Sequence, residues 1–183
     1  MSNKWNDFGL LAIRLGVGSA LVAHGTQKLF GWFGGYGPDG TGQWMSSMGF
    51  AGDGKRNAIL AGLGEAGGGA LLALGLATGP AGAAVTGTMA VAGSTHVPNG
   101  FFNADGGFEL PATFALVGTA LALGGPGRFS LDHVLGHRLN RRWMGLTGLA
   151  VTLGSAAYLI TTRVQPEPDE QEIKATEAAA DEA

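Results

Sequence analysis

The chain of 183 residues has a mean hydropathy of +0.19 and only 14% charged residues, which excludes an ordinary water-soluble domain, where about 25% are charged. The sequence contains no cysteine, which excludes disulfides, iron–sulfur ligation, covalent c-type haem attachment and thiol redox chemistry within this chain. Seven acidic residues in the last twenty account for the net charge of −3, and the rest of the chain is basic without indicating nucleic acid. With 34 glycines, which membrane helices tolerate and use for close packing, the composition predicts an all-α integral membrane protein.

The first apolar segment, Phe8 to Phe30, has transmembrane length but contains three strongly polar residues, Arg14, His24 and Lys28. At roughly 100° per residue these three lie on one stripe of a helix. An arginine near the bilayer centre costs roughly 3 kcal/mol on insertion scales. We therefore expect the stripe to face neighbouring helices or water rather than lipid.

The connection after this span, residues 31–56, is rich in glycine and aromatic residues, and Trp and Tyr typically mark a membrane interface. Thr41 is a candidate cap for a short helix through Met48, with Trp44, Met45 and Met48 on one face. This pattern favours an interfacial lid. The alternative is an aromatic anchor without a functional role.

Three further apolar segments predict spans over about Asn57–Ala77, Ala81–Val97 and Phe108–Gly124, which complete an antiparallel four-helix bundle. Glu65 is the ionisable residue of the second span, and small residues three and four positions away predict that its carboxylate points into a tightly packed bundle. Glu109 lies in the first turn of the fourth span, where an acid also stabilises the helix dipole without any other role.

The C-terminal part of the chain adds three predicted elements to this bundle. Ser130 is a candidate cap of an amphipathic cytoplasmic surface helix ending at Arg142, in which His133 and His137 have metal-ligand spacing but are interpreted as surface histidines beside anionic head groups. A fifth span is predicted from Trp143 to Thr162. The predicted divisions are 1–124 for the four-helix domain, 125–142 for the surface helix, 143–162 for the fifth span and 163–183 for a disordered acidic tail.

Arginines between spans four and five predict the membrane topology. Four of them lie at positions 128, 138, 141 and 142, so this connection should be cytoplasmic. That places the N-terminus inside and the acidic tail outside, although Lys55 and Arg56 on the outer side oppose the assignment.

In this topology, five ionisable residues from four helices fall in one outward layer: His24, Lys28, Glu65, His96 and Glu109. Arg14 lies deeper, as a buried charge that reaches water or pairs within the bundle. The layer could bind a quinone head group, ligate a metal or relay protons. Alternatively, these charges only neutralise one another and fix the packing.

Three stretches carry a family resemblance over about Phe8 to Leu123. They are Arg14-x9-His24-Gly25-x2-Lys28-Leu29, the step Gly64-Glu65-x2-Gly68-Gly69, and His96-x-x-Asn-Gly-Phe-Phe before Phe108-Glu109-Leu110. This pattern resembles the DoxX family of small bacterial membrane proteins and is similar to the membrane subunit of thiosulfate–quinone oxidoreductases. The resemblance implies a four-helix protein of the bacterial cytoplasmic membrane, linked to oxidoreductases, with Arg14, His24, Lys28, Glu65, His96 and Glu109 as its polar positions.

The leading hypothesis is therefore a membrane subunit linked to redox metabolism that binds a quinone or docks a soluble oxidoreductase at the polar layer. The alternatives are a non-catalytic assembly or scaffold protein and a small solute or proton pathway. A b-type haem between His24 and His96 would require the two helices to face each other and is disfavoured, and no metal site is predicted. Expected partners are membrane lipids, a soluble oxidoreductase and a second copy of the chain, but no nucleic acid.

Overall fold

The computed structural model describes residues 4–164, and these residues contain helices and connections without β-strands. Most of the predicted acidic tail, from position 165 onward, is therefore beyond the residues that the structure describes. The helices are α1 (Lys4–Phe30), α2 (Gly37–Ser47), α3 (Gly54–Leu74), α4 (Thr78–His96), α5 (Glu109–Gly124), α6 (Leu131–Val134) and α7 (Arg142–Thr161). Short 3-10 helices occupy Trp32–Gly34, Val97–Asn99 and Asn103–Asp105.

The all-α prediction is confirmed, and three of the helices are long and apolar enough to cross a membrane: α1, α3 and α7. The shorter apolar helix α5 has 16 residues, and α4 has 19. The third predicted span starts too late, because Thr78, Gly79 and Pro80 form the first turn of α4 rather than a separate turn. The predicted passage of α4 and α5 through the membrane stays a prediction.

Two contact systems organise the bundle, with α3 packed against α1 and α4 packed against α3, α5 and α7. Between α1 and α3, Gly18 lies opposite Gly69, and a β-carbon added to Gly18 would come within 2.6 Å of the Gly69 carbonyl oxygen. The main buried cluster contains Leu21, Leu72, Ala81, Val85, Met89, Phe114 and Leu121. Small residues thus bring the helix backbones together, as is typical of membrane helix pairs.

This close packing predicts different outcomes for two glycines on the same helix. Gly18→Ala should destabilise the fold by roughly 1–3 kcal/mol, because its new methyl group would overlap Gly69 and Ala73. Gly16→Ala is the matched control, since a β-carbon there meets nothing within 4 Å. Thermal unfolding of the purified protein in detergent measures both changes, and equal midpoints for the two variants would contradict the packing described.

The predicted short helix after the first span exists as α2, but its predicted cap is wrong. The helix begins at Gly37 with Pro38 in the first turn, where proline is favourable, so Thr41 is a buried residue inside the helix. Met45 is buried in a cluster with Phe50 and Ala58. Trp44 remains 43% exposed, so the three predicted lid residues do not share one environment.

The predicted amphipathic helix from Ser130 to Arg142 is also wrong in length. Ser130 does cap a helix, its hydroxyl accepting a hydrogen bond from the His133 amide at 3.2 Å, but that helix ends at Val134 after one turn. Gly136 and His137 then adopt positive φ angles of 65° and 57°, which end the helix. We call residues 125–142 the basic segment.

Polar contacts to the bundle explain why the basic segment does not continue as a helix. The fully buried Asp132 carboxylate accepts hydrogen bonds from the amides of Ala77 (2.8 Å) and Thr78 (2.9 Å) and from the Thr78 hydroxyl (2.8 Å). The Asn140 side-chain oxygen accepts from the Gly79 amide at 2.9 Å. Asp132 and Asn140 therefore satisfy the free amides at the start of α4, and these contacts override the local helical pattern.

Candidate functional site

An ion pair between α1 and α3 lies at the centre of the predicted polar layer. The Lys28 ammonium lies 2.7 Å from the Glu65 carboxylate, whose side chain is only 3% exposed against 26% for Lys28. Gly25 packs directly against Gly62 and Ala66, so the two helices approach closely enough for the pair to form. The pair supplies a fixed charge and hydrogen-bond donors inside an otherwise apolar bundle.

A cavity of about 230 Å³, which we call the polar chamber, lies on one side of this ion pair. His24, Lys28, Glu65, His96 and Asn103 supply its polar lining. Its apolar lining comes from Leu21, Met89, Ala92, Leu110, Pro111 and Phe114. Four of the five residues predicted for the outward layer thus face one cavity.

The geometry of His96 fixes which ring nitrogen can take part in chemistry. Its Nδ1 lies 2.7 Å from the carbonyl oxygen of Gly106. A carbonyl oxygen only accepts hydrogen bonds, so Nδ1 carries a proton and, in the neutral ring, Nε2 holds the lone pair. His96 is therefore oriented as a proton acceptor through Nε2.

Glu109, the fifth predicted residue, does not line the polar chamber but bonds to Asn103, which does. Its carboxylate accepts a hydrogen bond from the Asn103 amide at 3.1 Å, which fixes the turn over Asn103–Asp105. It is not part of the polar chamber lining in the described chain. Its position in the first turn of α5 agrees with the helix-dipole alternative.

A second cavity of about 900 Å³, which we call the lateral groove, also borders the ion pair. Its walls are α3, α4 and α7, and α2 covers one end through Trp44 and Met45. The lining is mostly apolar, with isolated hydroxyl and amide groups such as those of Asn57, Thr88 and Ser155. The chain just after α7 is joined to the connection after α2, because the Val164 amide donates to the Gly49 carbonyl oxygen at 3.0 Å.

The ion pair borders both cavities. Lys28, Glu65, Ala92 and His96 line the polar chamber as well as the lateral groove. A molecule in the groove could therefore contact the same charged groups that face the chamber. The arrangement can hold a mostly apolar ligand with one polar end and can exchange protons at that end.

Arg14 lies in the N-terminal half of α1, about 21 Å from Lys28 along the helix axis at roughly 1.5 Å per residue. Its guanidinium is buried and donates to the carbonyl oxygens of Pro126, at 2.8 Å, and Phe129. Burial disfavours this charge, and the negative charge of Asp132 offsets part of that cost. Arg14 thus holds the basic segment and does not contribute to the two cavities.

Two contributions were not predicted from the sequence. No local sequence pattern indicated the role of Asp132, because its hydrogen-bond partners at Ala77 and Thr78 lie more than fifty positions away. The α7 side of the groove did carry a sequence signal. Polar side chains recur there every three residues, at Thr152, Ser155 and Tyr158, and this spacing could have indicated a polar face.

The described residues include no group of three or more His, Asp or Glu side chains that could hold a metal ion. The His133 and His137 rings lie 5.6 Å apart and supply two nitrogen ligands at most. The donor set of the candidate site, two imidazoles, one carboxylate and one ammonium, suits hydrogen bonding to an organic ligand.

Comparison with known proteins gives one family match. The DoxX family model matches residues 9–97, which run from α1 to the end of α4 and include Arg14, His24, Lys28, Glu65 and His96. No curated protein and no solved structure matches the chain. Glu109, Asp132 and α7 lie outside the matched range.

Proposed function

The chain belongs to the DoxX family through the domain at residues 9–97, and from this premise we propose that it is a membrane subunit linked to redox metabolism that binds a quinone. The quinone head group would meet Lys28, Glu65 and His96, and its chain would occupy the lateral groove. The observation that carries the proposal is a mostly apolar groove of about 900 Å³ with a buried ion pair at its wall.

Hydrogen bonding supports a quinone rather than a purely apolar lipid. The Lys28 ammonium has three donors, and the contact with Glu65 uses one of them. A quinone carbonyl only accepts hydrogen bonds, so the remaining donors of Lys28 match it. The volume also lies within the range of roughly 300–1,000 Å³ that is typical of small-molecule sites.

Exposure of the groove walls supports entry of the ligand from the membrane. Leu60 on α3 is 59% exposed, and Tyr158 and Leu159 on α7 are 67% and 46% exposed. All three line the groove. An apolar ligand could therefore enter between α3 and α7 without crossing water.

Protons for the ligand would come from the groups on the chamber side. Reduction of a quinone to its quinol takes two electrons and two protons. A soluble oxidoreductase docked on the chain would supply the electrons, since this sequence has no cysteine for a cluster or a dithiol. His96 would take up a proton at Nε2 and, as the imidazolium, pass it to Glu65, which would deliver it to the reduced head group, once for each of the two protons.

Quinone retention tests this proposal with a matched pair of variants on α7. Ser155 and Ala157 are both exposed, but Ser155 lines the groove and Ala157 does not. Ser155→Phe should fill the groove and reduce bound decylubiquinone at least tenfold, whereas Ala157→Phe should retain it. The measurement is extraction and chromatography of quinone from the purified, lipid-reconstituted protein.

Two outcomes would contradict quinone binding. One is that the unmodified protein retains no more decylubiquinone than empty lipid particles, and the other is that both phenylalanine variants retain it equally. If a soluble partner still binds in the first case, the assembly-protein alternative takes precedence. Lys28→Gln serves as a second variant, with Lys55→Gln as its control, because the exposed Lys55 pairs with Asp39 away from the groove.

A further inference from the structure

The basic segment presents four arginines that form no ion pair within the described part of the chain. Arg128, Arg138, Arg141 and Arg142 are all exposed, and none of them forms an ion pair there. The acid within the segment, Asp132, is fully buried and engaged with the start of α4. Within residues 4–164 these four guanidinium groups therefore have hydrogen-bond donors available for anions.

Exposed apolar side chains lie among these arginines. They are Phe129, Leu131, Val134, Leu135, Leu139 and Trp143, with exposures between 41% and 78%. A surface that mixes arginine with Leu, Phe and Trp has the composition of a protein face that lies in a lipid interface. An acidic soluble partner would need the charge but would leave the apolar groups without a role.

The position of the segment also points to the lipid interface. It lies at the end of the bundle where α1 and α7 begin, and both helices are long and apolar enough to cross a membrane. The Phe129 ring lies 4.8 Å from the Phe8 ring near the start of α1. The surface is therefore continuous with the ends of two candidate spans.

Buried contacts hold this surface in a fixed shape. Arg14 donates to two carbonyl oxygens of the segment, the Asp7 carboxylate accepts from the Arg128 amide at 3.0 Å, and Asn140 accepts from Gly79. The segment is thus anchored on both sides of Asp132. A fixed surface loses less conformational freedom when it binds a ligand than a flexible arm does.

We propose that the basic segment is a binding site for the phosphate groups of anionic phospholipids, such as phosphatidylglycerol. The guanidinium groups bind phosphate oxygens in pairs, and the adjacent apolar side chains contact the acyl chains. The site is independent of the quinone proposal, because it shares no residue with the polar chamber or the lateral groove.

The test compares two double variants that each remove two positive charges. Arg138→Gln/Arg141→Gln changes exposed residues of the basic segment, and Lys55→Gln/Arg56→Gln changes exposed residues at the opposite end of the bundle. The purified full chain in neutral detergent is titrated with phosphatidylglycerol or phosphatidylcholine, and bound lipid is counted by native mass spectrometry. The unmodified protein should prefer phosphatidylglycerol, and the first variant should weaken that binding roughly tenfold or more, while the second should not.

Other anions provide the remaining arms of the test. Displacement of phosphatidylglycerol by millimolar inorganic phosphate would show a site for free phosphate and would overturn the lipid assignment. Displacement by polyglutamate at equal charge would show recognition of acidic polymers and would also overturn it. The proposal fails as well if the unmodified protein shows no preference for phosphatidylglycerol, or if both double variants lose it equally.

Discussion

Asp132→Ala is expected to destabilise the protein by about 3–5 kcal/mol, because three donors lose a charged acceptor and each buried donor left without a partner costs about 1–3 kcal/mol. The fully buried carboxylate accepts three hydrogen bonds from Ala77 and Thr78. Its loss leaves the first amides of α4 without an acceptor. It also removes the negative charge that acts on the buried Arg14. Thermal unfolding in detergent, followed by the fluorescence of the four tryptophans, measures the change.

A matched control comes from the cap of α3. Asp53 is exposed and accepts a single hydrogen bond, from the Arg56 amide at 3.2 Å. Asp53→Ala should therefore cost about 1 kcal/mol, as a typical cap substitution does. Equal unfolding midpoints for Asp53→Ala and Asp132→Ala would refute the role assigned to Asp132.

Asp132→Asn keeps the shape of the side chain but replaces one acceptor oxygen by a donor and removes the charge. We expect a loss of stability between that of Asp53→Ala and that of Asp132→Ala, because one oxygen can still cap an amide. This conservative variant keeps the test informative if Asp132→Ala does not yield folded protein.

The second large effect is expected at the ion pair between α1 and α3. Lys28→Met leaves the Glu65 carboxylate, 3% exposed, without its cation, and should cost about 3 kcal/mol. Glu65→Gln should cost less, because the Lys28 side chain is 26% exposed and can still reach water. The order of the two losses is therefore predicted as well as their sign.

The double variant Lys28→Met/Glu65→Met should recover most of the stability lost in Lys28→Met, since apolar residues can replace a buried pair at little cost. Lys55→Met is the control, because Lys55 and Asp39 form an exposed pair whose loss should leave the unfolding midpoint nearly unchanged. A double variant less stable than both single variants would contradict this account. If the double variant is stable but retains no quinone, the pair has a binding role beyond packing.

The sequence by itself determined where the main helices lie and that the main charged side chains face the interior of the bundle. Apolar runs ended by glycine and proline predicted α1, α3, α5 and α7 to within a few residues, since these signals are local to the chain. The small residues around Glu65 predicted an inward carboxylate because close helix contact requires them. The outward layer likewise anticipated that His24, Lys28, Glu65 and His96 would be neighbours.

Only the tertiary structure decided which polar groups form hydrogen bonds with each other. The Glu109 carboxylate accepts from the backbone amide of Asn103 and does not line the chamber itself. Asp132 caps a helix that starts more than fifty residues away, although its own segment carries a helical pattern. The lateral groove likewise depends on α7 packing beside α4, which no local pattern specifies. The physical reason is that a buried donor or acceptor must find a partner wherever the fold places one, and those long-range hydrogen bonds outweigh the weak local preference for continuing a helix.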